Sequence, residues 1–227
     1  MKLCMFHPLD HPLERGWVGR VENDHVVQLA AQTLQSFFTG GGSAREHAVY
    51  PLAAVRFLPP VLHPPAVRIF EDQNSFEFGN PAAIVGPDAE IVSRPSLRLC
   101  PRLGAVLGAD GEIGGYTLCA DWCDPGLEPP KDHDFALGLG PVVATADELD
   151  AEAELVVRVD GDERLRSRPQ PFDWSAAREL ALAGTTLYPG DLLVGPAAGA
   201  TDRLRAPSAV GLEVAGVGEL RQTVVIA

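Results

Sequence analysis

The stretch Gly115-Tyr116-Thr117-Leu118-Cys119-Ala120-Asp121 reads as a β-strand that carries an apolar run up to a single acid. Side chains two apart on a strand project from the same face. If the strand continues through Trp122 and Cys123, then Cys119, Asp121 and Cys123 share one face. Working outward, the chain from about residue 50 is broken repeatedly by turn residues, among them Pro59-Pro60, Pro64-Pro65, Pro81, Pro87 and Pro95. Short strands between such breaks predict a β-rich domain. Asp160-Gly161 between Ala153–Arg158 and Arg164–Arg166 predicts a hairpin. Asp173 ahead of Trp174-Ser175-Ala176-Ala177-Arg178 predicts an N-capped helix. Strands resume at Asp191–Val194, Gly211–Val214 and Leu220–Ile226. Upstream lie strand-like Trp17–Val21 and His25–Val27, a helix-like run Leu29–Phe38 and the joint Gly40-Gly41-Gly42-Ser43. The expectation is a mixed α+β, β-rich protein with a small N-terminal domain, 1–49, and a larger domain, 50–227. No regular β-α alternation and no internal repeat appear, which argues against a Rossmann or barrel reading.

Bulk composition narrows the function classes. Of 227 residues, 46% are hydrophobic and 22% charged, enough to bury a sizeable core. A formal net charge of −13 and a pI near 4.8 argue against nucleic acid or an anionic membrane as partner. No stretch approaches the roughly 20 apolar residues of a membrane span. The opening segment Met1–Gly16 does not read as a signal peptide, and a cytoplasmic location is expected. Four cysteines do not make a dense disulfide framework. Lys2 and Lys131 are the only lysines.

Taken in order, several stretches resemble the fumarylacetoacetate hydrolase (FAH) family. They are Val55-Arg56-Phe57-Leu58-Pro59-Pro60, then Phe78-Gly79-Asn80-Pro81 running to Gly86-Pro87, then the Gly115–Asp121 strand. Leu187-Tyr188-Pro189-Gly190-Asp191 and Gly216-Val217-Gly218-Glu219-Leu220 complete the series. The resemblance implies an FAH-type mixed β-roll, usually a homodimer. It also implies chemistry on small oxo acids or enolisable diketo compounds, in which Mg²⁺ or Mn²⁺ is chelated by a Glu-x-Glu pair and an Asp. Such a cation acts as a Lewis acid toward enolate charge.

Against that pattern, Asp121 matches the third ligand, but Cys100 and Arg102 fall where the two Glu are expected, on the strand Leu97–Gly108. A guanidinium about 4 Å from a divalent ion costs about 8 kcal/mol at an effective dielectric near 20. The expectation is therefore no metal and no other cofactor, hence a degenerate metal site. Lys131, ten residues before Pro141, matches the family's Lys and is expected to hold an anionic oxygen. The family's catalytic His has no counterpart; Gln73 lies nearest to it, beside Glu71 and Asp72. The family's Gly-Thr-Pro loop reads Gly195-Pro196-Ala197, without its hydroxyl.

The candidate catalytic residues are Lys131, Asp121, Arg102, Glu71 and His133, with Gln73, Cys100, Trp122, Gly195 and Pro196 as candidate substrate contacts. For Arg102 two readings stay open: it grips a substrate anion, or it forms a buried structural pair with Asp121. The resulting expectation is an Mg-independent lyase, decarboxylase, isomerase or cyclase of specialised metabolism. The alternatives are a catalytically silent binding or partner subunit, and a conventional metal-dependent C–C hydrolase of the family.

Overall fold

The computed structural model describes residues 1–150 and 152–226. Its strands are β1 Lys2–Pro8, β2 Trp17–Glu22, β3 His25–Leu29, β4 Glu46–Pro51, β5 Val55–Leu58, β6 Val67–Phe70, β7 Phe76–Gly79, β8 Ile84–Val85 and β9 Glu90–Val92. There follow β10 Arg98–Leu107, β11 Ile113–Cys123, β12 Leu137–Ala144, β13 Leu155–Val159, β14 Asp162–Ser167, β15 Leu192–Val194, β16 Ser208–Val214 and β17 Gly218–Val225. Two α-helices, α1 Leu34–Thr39 and α2 Trp174–Leu182, stand among them. The fold is thus β-rich mixed α+β.

A twelve-stranded sheet runs in the order β4-β3-β2-β1-β12-β11-β10-β15-β6-β7, with β5 on β1 and β8 on β12. A five-stranded sheet runs β14-β13-β16-β17-β9. Alternation along β11 explains how they pack. Leu118, Ala120 and Trp122 point toward the smaller sheet and form one core with Leu155, Val157, Leu212 and Val224. Cys119, on the opposite face, joins a second core with Leu3, Met5, Val143 and the α1 residues Leu34, Phe37 and Phe38.

Local chemistry sets the element ends. Asp173 Oδ1 accepts from the Ser175 and Ala176 amides at 3.0 and 3.1 Å and caps α2. Asp160 (φ 53°) and Gly161 (φ 89°) make the left-handed turn of the β13–β14 hairpin. The helix expected over Leu29–Phe38 is shorter. Leu29 stays in β3, and the Thr33 side chain caps α1 through the Ser36 amide. Strand β4 runs across positions 49 and 50 at one edge of the large sheet, and β1 pairs directly with β12, Leu3 opposite Val143. No helix among the described residues is long and apolar enough to cross a membrane.

Candidate active site

On β10 and β11 the register sets Cys100 opposite Asp121 and Arg102 opposite Cys119, all on the face away from Trp122. The side chains of Arg102 and Asp121 are each 2% exposed. Arg102 Nε donates to Asp121 Oδ2 at 2.8 Å, and Nη2 donates to Glu71 Oε1 at 2.6 Å. Nη1 donates to the Phe70 and Gly195 carbonyls, both at 3.3 Å. Burial disfavours the guanidinium charge, but the two carboxylates outweigh it and hold Arg102 above its ordinary pKa. Glu71 arrives at the end of β6, and its side chain is 66% exposed.

The second Asp121 oxygen, Oδ1, accepts from His133 Nδ1 at 3.0 Å. A carboxylate can only accept, so this contact fixes the tautomer and leaves Nε2, 3.6 Å from Asp132 Oδ2, as the titrating nitrogen. His133 reaches the site because the loop after β11 folds back, the Asp124 amide donating to the Asp132 carbonyl at 2.8 Å. Glu71, Cys100, Arg102 and His133 line one cavity of about 460 Å³. Its other wall comes from Ser167–Arg168, Gln170 and the Ala197–Ala200 loop. The Cys100 Sγ lies 3.4 Å from Cys123 Sγ; that contact holds Cys100 below the ordinary thiol pKa, against burial, and pushes Cys123 up.

The Asp121 hydrogen bond raises the His133 pKa, against the opposing effect of burial, with the Asp121 and Asp132 charges adding to it. A folded-state pKa above the unfolded value near 6.5 gives stability that is full below that value and lost as pH rises through the folded pKa. The chemical-denaturation midpoint of the wild type is expected to fall as pH rises from 6 toward 9, more steeply than that of His133→Asn. Equal slopes for the two proteins would remove the His133–Asp121 coupling.

Other expected site residues lie elsewhere. Lys131 is not at the cavity: its ammonium pairs with Asp134 and its side chain is 73% exposed. Trp122 is no pocket wall; it is fully buried in the core, and its indole N–H donates to Gln222 Oε1 at 2.6 Å. Gln73 does not reach the cavity either. Its amide brackets Asp173, donating to that carbonyl at 2.9 Å and accepting from that amide at 2.8 Å, and so anchors the start of α2. Gly195 contributes its carbonyl to Arg102, whereas Pro196 lines a neighbouring cavity of about 620 Å³ beside Phe172 and Trp174. Arg168 and Gln170, which line both cavities, carried no sequence signal.

The donor set does not fit a hard divalent cation. Both Asp121 oxygens are engaged by Arg102 and His133, and the facing β10 positions offer a thiol and a guanidinium. Among the described residues, no group of three His, Cys, Asp or Glu side chains is arranged to hold a metal ion.

The model of the fumarylacetoacetate (FAA) hydrolase C-terminal domain matches residues 62–225. No curated relative matches the chain in sequence. Among solved structures, a maleylpyruvate hydrolase from Sphingobium sp. SYK-6 is similar at a TM-score of 0.82 and 20% identity, both chains covered fully. A 5-carboxymethyl-2-hydroxymuconate delta-isomerase from Mycobacterium smegmatis superposes at 0.81 with 24% identity, again over 100% of each chain. A fumarylacetoacetate hydrolase from Exiguobacterium antarcticum superposes at 0.83 with 19% identity over the same full coverage. The matched domain model spans most of the sequence, and the chain belongs to the fumarylacetoacetate hydrolase family.

Proposed function

We propose that the chain is an enzyme of small oxo acids that works without a divalent cation, the Arg102 guanidinium standing in for the metal charge. The observation that carries this reading is Arg102 itself, buried at the cavity floor between Asp121 and Glu71. A fixed guanidinium is well suited to a carboxylate or enolate oxygen. The similar folds support the substrate class: they include a hydrolase named for maleylpyruvate, whose structure has also been solved with manganese (II) and pyruvate.

In this reading the exposed Glu71 carboxylate is a placeholder. An incoming substrate carboxylate displaces it from Nη2, and Glu71 swings into solvent without a buried-charge penalty. His133 Nε2 then removes or returns a proton beside the oxo group. Asp121 holds the ring through Nδ1–H and stabilises the imidazolium that forms. Enolisation of this kind underlies lyase, decarboxylase, isomerase and cyclase steps alike.

The rival reading is a catalytically silent binding subunit. Its support is that Arg102 already donates to Asp121, Glu71 and two carbonyls, as a purely structural arginine would.

Pyruvate separates the two. By calorimetry, Glu71→Ala is expected to bind it about tenfold more tightly than wild type, since one charge-assisted competitor of about 1.4 kcal/mol is gone. In D₂O, the wild type is expected to speed exchange of the pyruvate methyl protons by NMR, and His133→Asn to lose that exchange while still binding. Binding without exchange would leave the silent subunit; neither binding nor exchange would remove the oxo-acid site.

A further inference from the structure

One thiol at the floor of this cavity, Cys100, and a second just behind it, Cys123, have no part in the proton chemistry above. Cys100 on β10 and Cys123 on β11 share a face and are offset by one pair, Cys100 standing opposite Asp121 and Cys123 opposite Arg98. Their sulfurs are 3.4 Å apart, and both are free thiols. The sulfurs are in contact, and closing the gap to the S–S bond of about 2.05 Å draws together two β-carbons at diagonal positions on adjacent strands. Cys4 and Cys119 are also free but completely enclosed in the cores. Only Cys100 lines the cavity, with the Arg102 cation two residues along the same face and His133 nearby. A thiol reachable by a small molecule, close to the Arg102 guanidinium as well as the Asp121 carboxylate, and in contact with a second thiol, has the parts of an attacking and a resolving cysteine.

We propose that Cys100 and Cys123 form a reversible dithiol site whose substrate is a small hydroperoxide. The Cys100 thiolate attacks the terminal oxygen of R–O–OH; the S–O bond forms, the O–O bond breaks, and the alkoxide leaves with a proton from the site as the alcohol. Cys123 then attacks the Cys100 sulfenic acid; the S–S bond forms, the S–O bond breaks, and the hydroxide leaves as water with the Cys123 proton. The sum is two thiols and one hydroperoxide giving one disulfide, one alcohol and one water, a two-electron exchange. An external dithiol returns both cysteines by exchange. Oxidation withdraws the Cys100 sulfur from the cavity floor beside Arg102.

The site does not depend on the oxo-acid reading, and its test reads mass rather than binding. The native protein is treated with equimolar hydrogen peroxide, denatured, alkylated with N-ethylmaleimide and weighed intact. Two of its four cysteines are expected to escape alkylation, with a peptide linking Cys100 to Cys123, and dithiothreitol is expected to restore all of them. In Cys123→Ser, dimedone is expected to trap the sulfenic acid at Cys100. Full alkylation of the peroxide-treated wild type would overturn the proposal. So would a crosslink through Cys4 or Cys119, or dimedone labelling of Cys100 as strong in wild type as in Cys123→Ser.

Discussion

Replacing Arg102 with Gln is expected to lower the free energy of unfolding by about 3–5 kcal/mol, the usual cost of removing one partner of a buried ion pair. The reason lies with Asp121. Its side chain is buried and keeps only His133 once the guanidinium is gone. Glu71 matters less, because its side chain already faces solvent and rehydrates. Arg102→Lys does not rescue the loss, since one ammonium cannot span Asp121, Glu71 and two carbonyls placed around a planar fork. The double variant Arg102→Met, Asp121→Leu tells the two sides of the account apart. Removing both charges together leaves no buried charge unpaired, so its stability is expected to lie closer to wild type than that of Arg102→Gln. Urea denaturation followed by circular dichroism measures all of these. If Arg102→Gln costs less than about 1 kcal/mol, the pair is not the buried anchor of the site.

Much of this architecture is legible in the sequence because short-range physics writes it there. The Asp160-Gly161 turn, the Asp173 cap and the β11 strand each follow from backbone demands met within a few residues. The inward placement of Arg102 and Asp121 also follows, since both lie on strands whose period is two. That same period excludes Trp122 from the cavity. With Asp121 facing the site, its neighbour has to face the other sheet, so the correction was within reach of the sequence. Lys131 was not. A long, flexible side chain takes its direction from what surrounds it, and Asp134 captures it in solvent. Nor could the sequence show that Ser167, Arg168 and Gln170 would line the same cavity as the Ala197–Ala200 loop, because one group follows a strand of the small sheet and the other a strand of the large one. Gln73 carries the same lesson. Its partner Asp173 lies a hundred positions away, so a residue near a catalytic position in sequence serves as a brace in space.

The largest expected effect concerns metal. A guanidinium in place of a ligand opposes a divalent ion by about 8 kcal/mol at about 4 Å and an effective dielectric near 20, between five and six decades in affinity. In the function proposed above, the Arg102 charge does the work of a cation in holding an oxo acid. The direct measurement is calorimetric titration of pyruvate into the wild-type protein, once in EDTA and once in Mn²⁺, with the manganese content of the dialysed protein determined alongside. The expected result is the same pyruvate affinity in both, within about twofold, and no retained manganese. Stoichiometric manganese together with pyruvate binding that EDTA abolishes would contradict it.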